Sequence, residues 1–260
     1  MVYQDIIFEV KEATAYITIN RPDKLNAFRG ITCEELIHAF QKAGWDKAIA
    51  CIVLSGAGPR AFCTGGDQSA HDGQYDGRGT IGLPVEELHS VIRDVPKPII
   101  AKVQGYAIGG GNVLALLCDL TIAGESAQFG QVGPKMGSVD PGFGTALLAQ
   151  IVGDKKAREI WYLCRRYTAK EALDMGLINK VVADDQLDAE VTAWCTEIAE
   201  RSPTAIAIAK RSFIAATEYI RGIGSLGLQA LKLYYDTEES REGVRALQEK
   251  RKPDFRKYVK

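Results

Sequence analysis

The sequence predicts an α/β fold in which a strand–glycine turn–helix unit recurs, followed by a mainly helical C-terminal region. Three observations predict it. An apolar β-type run, Pro98–Val103, leads into Gly105-Tyr106-Ala107-Ile108-Gly109-Gly110-Gly111-Asn112, and that turn opens the apolar helical run Val113–Cys118. About 45 residues earlier, Cys51–Ser55 leads towards a second turn, Phe62-Cys63-Thr64-Gly65-Gly66-Asp67-Gln68. From Gly142 onwards the apolar residues fall at helical spacing.

The elements follow in order. Ile6–Val10 and Ala15–Ile19 read as a hairpin joined through Lys11-Glu12-Ala13-Thr14. Thr32 is placed to cap a helix with Glu35 three residues on, and Leu36, Ala39, Phe40 and Ala43 form its apolar face. Cys51–Ser55 is a buried strand. Ser69–Gly82, rich in Gly, Asp and His, reads as a mobile surface loop. Pro84–Asp94 returns to helix, stopped by Pro96-Lys97-Pro98, and Leu120–Ala123 is a strand. Helices are predicted over Gly142–Val152, Lys155–Cys164, Thr168–Met175, Asp185–Arg201, Pro203–Tyr219 and Leu226–Lys250, with a strand at Leu177–Val182. Arg201-Ser202-Pro203 is the best boundary, dividing a core of residues 1–200 from a helical region of residues 201–260.

Composition excludes several function classes. With 46% hydrophobic and 25% charged residues the chain reads as an ordinary globular protein. A net charge of −1 gives no general attraction to nucleic acid or to an acidic membrane. No apolar run approaches the ~20 residues of a membrane span, and Met1–Asp5 lacks a basic signal-peptide start. Cys33, Cys51, Cys63, Cys118, Cys164 and Cys195 are scattered, which predicts reduced core thiols and a cytoplasmic compartment. His38, His71 and His89 have no mutual ligand spacing, so no metal site is expected, and His38 and His89 read as surface or satisfied helix residues. There is no G-x-S-x-G elbow, and neither glycine turn reads G-x-G-x-x-G.

What the turns do offer is backbone N–H groups. A lone glycine turn before a helix is most simply a packing device. Two such turns whose N–H groups converge on one oxygen form an oxyanion hole, which favours an enolate or tetrahedral oxyanion over a neutral carbonyl. The sequence leaves open whether these two converge.

Several segments carry a family resemblance: Asn20-Arg21-Pro22-Asp23-Lys24-Leu25-Asn26-Ala27, Phe62–Asp67, Gly105–Gly111, Cys118-Asp119-Leu120 and Phe129-Gly130-Gln131. On these the chain resembles the crotonase (enoyl-CoA hydratase/isomerase) superfamily over nearly its whole length. The resemblance implies a spiral of ββα repeats with a C-terminal helical extension that trimerises and caps the substrate. It implies an acyl-CoA substrate, no resident cofactor, and a homotrimer or a homohexamer built as a dimer of trimers. It places the oxyanion donors on Gly66 and Gly110 and coenzyme A along Lys24, Leu25 and Ala27. Thr64, Gly65, Asp67, Gln68, Tyr106 and Gly109 then complete the binding turns. Where the family's hydratases carry two glutamates this chain has Val113 and Gly133, and neither can transfer a proton.

Within the superfamily the chain most resembles the 1,4-dihydroxy-2-naphthoyl-CoA synthases and 2-ketocyclohexanecarboxyl-CoA hydrolase. That likeness rests on Gly65–Gln68, Gly130–Lys135, Gly137–Asp140, Lys156–Trp161 and Tyr235–Glu239. It implies that Ser138 and Asp140 face the acyl group, that Tyr235 moves a proton, and that Tyr75 corresponds to a loop tyrosine of the synthases. Lys250 would meet the coenzyme A phosphates across a subunit boundary. Gln131, Val132, Gly133 and Trp161 match a bicarbonate pocket, with Val132 where the synthases have threonine. Each also has a plainer reading: Ser138 and Asp140 as a turn, Tyr235 or Tyr234 as an amphipathic core residue, Trp161 as core.

Asn112, Ala115 and Val132 stand where the synthases are more polar, which favours ring-cleaving hydrolysis. The expected reaction is retro-Claisen cleavage of 2-ketocyclohexane-1-carboxyl-CoA by water to pimeloyl-CoA, a step of alicyclic or aromatic acid (benzoate) degradation. The alternatives are the synthase's intramolecular Claisen condensation of o-succinylbenzoyl-CoA and a non-catalytic coenzyme A-binding protein.

Overall fold

The computed structural model describes residues 2–68, 75 and 77–259. Of the loop expected at Ser69–Gly82, residues 69–74 and 76, including His71, lie outside the described residues. A hairpin opens the chain: β1 (Ile6–Lys11) pairs antiparallel with β2 (Thr14–Ile19), and α1 (Gly30–Trp45) follows. Three turns of a ββα repeat come next. The first is β3 (Cys51–Gly56), β4 (Ala61–Cys63) and α2 (Val85–Asp94). The second is β5 (Ile99–Val103), β6 (Tyr106–Ile108) and α3 (Gly110–Leu117). The third is β7 (Leu120–Gly124), β8 (Gln128–Gly130) and the short α4 (Gly133–Met136).

The first strand of each repeat enters a large sheet of order β1-β2-β3-β5-β7, whose far edge is β10 (Lys180–Val182). The second enters a small sheet of order β4-β6-β8, closed by β9 (Tyr167–Thr168). Successive repeats pair in parallel, Ile100 opposite Leu120 in one sheet and Ile108 opposite Gly130 in the other. Alternation along β3 explains the layers. Ile52 and Leu54 join the main core with Phe40, Phe62 and Phe129, whereas Cys51 and Val53 face Leu187, Val191 and Cys195 behind the sheet. All six cysteines are free; five are buried and Cys164 is half-buried. No described helix is long and apolar enough to cross a membrane.

The remaining helices are α5 (Leu148–Val152), α6 (Asp154–Leu163), α7 (Ala169–Asp174), α8 (Leu187–Ala199), α9 (Pro203–Ala215), α10 (Tyr219–Tyr235) and α11 (Glu238–Gln248). Residues beyond 200 share in the main core through Ile220, Leu228 and Leu231.

Several boundaries differ from expectation. Thr32 is three residues inside α1, where its hydroxyl accepts the Arg29 N–H and donates to Asp5. Glu35 serves no cap; its carboxylate accepts the N–H groups of Gln4, Asp5 and Ile6 and ties α1 to the first strand. The strand before the Gly109 turn is β6, not β5, because Gln104 and Gly105 carry the chain from one sheet to the other. The helix expected from Gly142 begins as a π-helical turn, Phe143–Leu147. The strand at Leu177–Val182 shrinks to three residues, and the helix expected to run to Tyr219 stops at Ala215. The long helix expected at Leu226–Lys250 is two, since the Thr237 hydroxyl caps α11 by accepting the Ser240 N–H.

Candidate active site

The two glycine turns do converge. β4 and β6 are adjacent parallel strands, so the turns that follow them leave the small sheet side by side. A Cβ on Gly65 would lie 2.9 Å from the Gly110 nitrogen, and one on Gly110 would lie 2.8 Å from Phe28 Cζ. Gly109 has φ +58°, and a Cβ on Gly111 would fall 2.0 Å from the Cys63 carbonyl oxygen. Three glycines in a row are therefore a packing requirement as well as a turn.

Two N–H groups are left to act. In the bridge between Phe28 and Gly66 the Phe28 N–H donates to Gly65 O and the Asp67 N–H to Phe28 O, both at 2.8 Å. The intervening Gly66 N–H points the other way. The Gly110 N–H is the first of α3 and has no intrahelical carbonyl to reach. Both glycines line one cavity of about 370 Å³.

The Lys24–Ala27 stretch is fixed beside it. Leu25 and Asn26 are both left-handed, and the Asn26 side-chain nitrogen donates to Ala57 O and Ala61 O. The Arg21 guanidinium donates to Asp67 at 2.8 Å, and the Thr64 hydroxyl to Leu25 O. Lys24, Ala27, Thr64, Gly65, Asp67, Gln68 and Gly109 line the cavity. Leu25 lies outside the lining, its carbonyl taken by Thr64 and its N–H donating to Pro22 O. Tyr106 lies under the Arg166 guanidinium, 5.0 Å from its ring centroid, outside the lining. Lys250 is exposed beyond α11 and also outside it, whereas Leu247 is inside.

The far wall holds the predicted polar group. Ser138 Oγ and Tyr235 Oη are hydrogen-bonded at 2.7 Å, joining the loop after α4 to the end of α10. Burial raises the Tyr235 phenol, and the nearby Asp140 charge adds to the rise. The Asp140 carboxylate accepts the Gly144 N–H at 3.1 Å. Burial holds its carboxyl above the usual carboxylate range, partly offset by His89 and that N–H. Tyr75 reaches Gly66: a Cβ there would meet the phenol oxygen at 2.0 Å, while Gln68 Nε2 donates to that oxygen at 2.7 Å.

His89, expected to be a surface or satisfied helix residue, is 6% exposed and packs edge-on against Phe143. Burial lowers its imidazole, and the Asp140 and Glu86 charges oppose that shift. Nothing local in the sequence signals this burial, nor the use of Phe28, Leu228 and Leu231 in the cavity wall.

The residues expected to form a bicarbonate pocket offer few free polar groups. Trp161 Nε1 donates to Gly144 O, and Val132 has no hydroxyl. Of its side chains only Gln131 has polar groups uncommitted among the described residues. Gly133 is closed to any side chain, since a Cβ would lie 2.5 Å from Ser138 O and 2.7 Å from Trp161. Val113 is fully buried core. Neither hydratase glutamate position therefore offers an acid or base.

The enoyl-CoA hydratase/isomerase family model matches residues 9–258. The chain belongs to this family. An enoyl-CoA hydratase from Mycobacterium avium subsp. paratuberculosis K-10 is 29% identical; the match covers 97% of this chain and 99% of that one, with a TM-score of 0.85. An enoyl-CoA hydratase/carnithine racemase from Magnetospirillum magneticum is 32% identical over 98% of this chain and 96% of that one, TM-score 0.78. A methylmalonyl CoA decarboxylase is 27% identical over 98% of both, TM-score 0.83. The protein is thus an acyl-CoA-processing enzyme of the enoyl-CoA hydratase/isomerase family, built on the crotonase fold.

Proposed function

We propose that the enzyme is a ring-cleaving hydrolase of a cyclic β-keto acyl-CoA, with 2-ketocyclohexane-1-carboxyl-CoA as substrate and pimeloyl-CoA as product. The observation that carries this reading is the hydrogen-bonded Ser138–Tyr235 pair, with Asp140, in the same cavity as Gly66 and Gly110. In the proposed reaction Asp140 takes a proton from water as its oxygen bonds to the ring ketone carbon. The adduct collapses to a carboxylic acid as the bond to the α-carbon breaks, and the electron pair passes into a thioester enolate held by the Gly66 and Gly110 N–H groups. Tyr235 gives its proton to the α-carbon, and the proton on Asp140 returns to it through Ser138.

The alternative is synthase chemistry on o-succinylbenzoyl-CoA, supported by the same three side chains and Tyr75. That substrate carries a further carboxylate. Lys24, on the stretch expected to follow coenzyme A, is the one cation among the described lining residues, and besides Ser138, Asp140 and Tyr235 the lining includes the apolar Ile81, Leu83, Val85, Val132, Leu228 and Leu231. An uncharged alicyclic ring suits that wall better. We also propose a homotrimer or a dimer of trimers, in which Phe213, Leu226 and Leu233, exposed on α9 and α10, are covered.

Incubation with both thioesters followed by mass spectrometry tests the reading. A gain of one water on the cyclic ketone is expected. Loss of water from o-succinylbenzoyl-CoA with the cyclic ketone untouched assigns the synthase, and coenzyme A binding without turnover of either assigns a binding protein.

A further inference from the structure

Gln131 is 1% exposed and lines the acyl cavity, yet neither its amide oxygen nor its amide nitrogen has a hydrogen-bond partner among the described residues. Its place follows from register. β6 and β8 stop together, Ile108 opposite Gly130, and the Gly109 N–H donates to Gly130 O at 2.9 Å. Gly109 and Gln131 therefore leave their strands side by side, next to the Gly110 N–H. Two residues on, Gly133 packs on the Ser138 carbonyl and the Ser138 N–H donates back to Gly133 O, so Gln131 is also tied to the wall that carries Ser138 and Asp140.

A primary amide both donates and accepts, as water does. An anion would gain one side-chain donor here, because the Trp161 N–H is spent on Gly144 and Val132 is apolar. We infer that Gln131 holds the nucleophilic water of the ring cleavage, as a water-positioning residue between the oxyanion hole and the Asp140 wall. The inference rests on the hydrolytic reading above. Gln131 gains and loses no proton: it fixes the water oxygen while one proton leaves for Asp140 and the C–O bond forms.

The test compares wild type with Gln131→Met, which keeps the volume and removes the amide. Ring hydrolysis is followed with 2-ketocyclohexane-1-carboxyl-CoA, and enolate formation separately, as deuterium uptake at C2 of pimeloyl-CoA in D2O. The second reaction uses the hole and Tyr235 but no attacking water. We expect kcat for hydrolysis to fall roughly 100-fold, the scale set by losing the alignment of a reactant. KM and the exchange rate should stay within about threefold, and the thermal midpoint should hold or rise because a buried amide without a protein partner has gone. Hydrolysis within threefold of wild type overturns the inference, as does a parallel fall in exchange, which marks a structural role. Acceleration of the wild type by added bicarbonate overturns it in favour of an anion. A wild type inert to the cyclic ketone overturns the hydrolase reading as well, whereas failure of Gln131→Met alone leaves that reading standing.

Discussion

In the proposed reaction Asp140 must be ionised to take a proton, in a place where burial favours its neutral form. A folded-state pKa above the unfolded value means that folding favours the protonated carboxyl. Its stabilising contribution is full below the unfolded pKa and is lost as pH rises through the folded one. Asp140→Asn copies the neutral form and keeps an acceptor for the Gly144 N–H. At pH 7 this variant should melt above wild type in calorimetry, and the gap should close below about pH 4, near the ordinary carboxylate pKa. Its kcat should fall at least about 100-fold. The acid limb of kcat/KM in the wild type should lie above pH 4 for the same reason. A variant of unchanged or lower melting temperature at pH 7 would count against a charge held at the expense of stability.

Among the elements, the link between α1 and the first strand has a single centre. Glu35, 3% exposed, accepts three backbone N–H groups. Glu35→Ala would strand them and should cost about 2–4 kcal/mol in urea unfolding, with KM little changed. Its partner Asp5 is held below the usual carboxylate range although burial opposes this, because Arg29 and Thr32 bond it and Arg21 adds its charge. What was legible in the sequence follows from element length. β1, β2, β3 and β5 run over five or six residues, long enough to read as β-type or apolar runs, and are expected from the sequence. β4, β6, β8 and β9 have two or three residues each, too few for a period, so the small sheet stayed hidden although both glycine turns hang from it. Thr237 looked like a mid-helix residue because its role depends on a cap hydrogen bond, not on apolar spacing. Family likeness singles out Ser138, Asp140 and Tyr235 one by one, but the hydrogen bond between Ser138 and Tyr235 is visible only in the structure, since no local pattern joins positions so far apart in the chain.

At the scale of the molecule, the C-terminal helices are both core and cavity wall. Lys210 on α9 is 7% exposed and donates to Ile92 O, Lys97 O and Asp119, which in turn accepts the Ile99 N–H. This fastens residues beyond 200 to the start of β5. Lys210→Ala should cost about 3 kcal/mol or more, since it leaves a carboxylate and two carbonyls without their cation. Hydrogen exchange should show α9 and α10 opening before the large sheet; uniform loss of protection would refute this anchoring role. Because α10 also carries Tyr235, turnover should decline with the same opening.

In the proposed reaction the half of the cavity that receives developing negative charge is made of peptide N–H groups, which every residue but proline supplies. A collection of random point mutants would thus report the two halves unequally. At positions 138, 140 and 235 almost any replacement removes a working group. At 66 and 110 the N–H survives nearly every replacement, and what harms is the added carbon, which meets Tyr75 or Phe28. On that reading, descendants of this chain are free to exchange the chemistry performed on an enolate while inheriting the means of holding one.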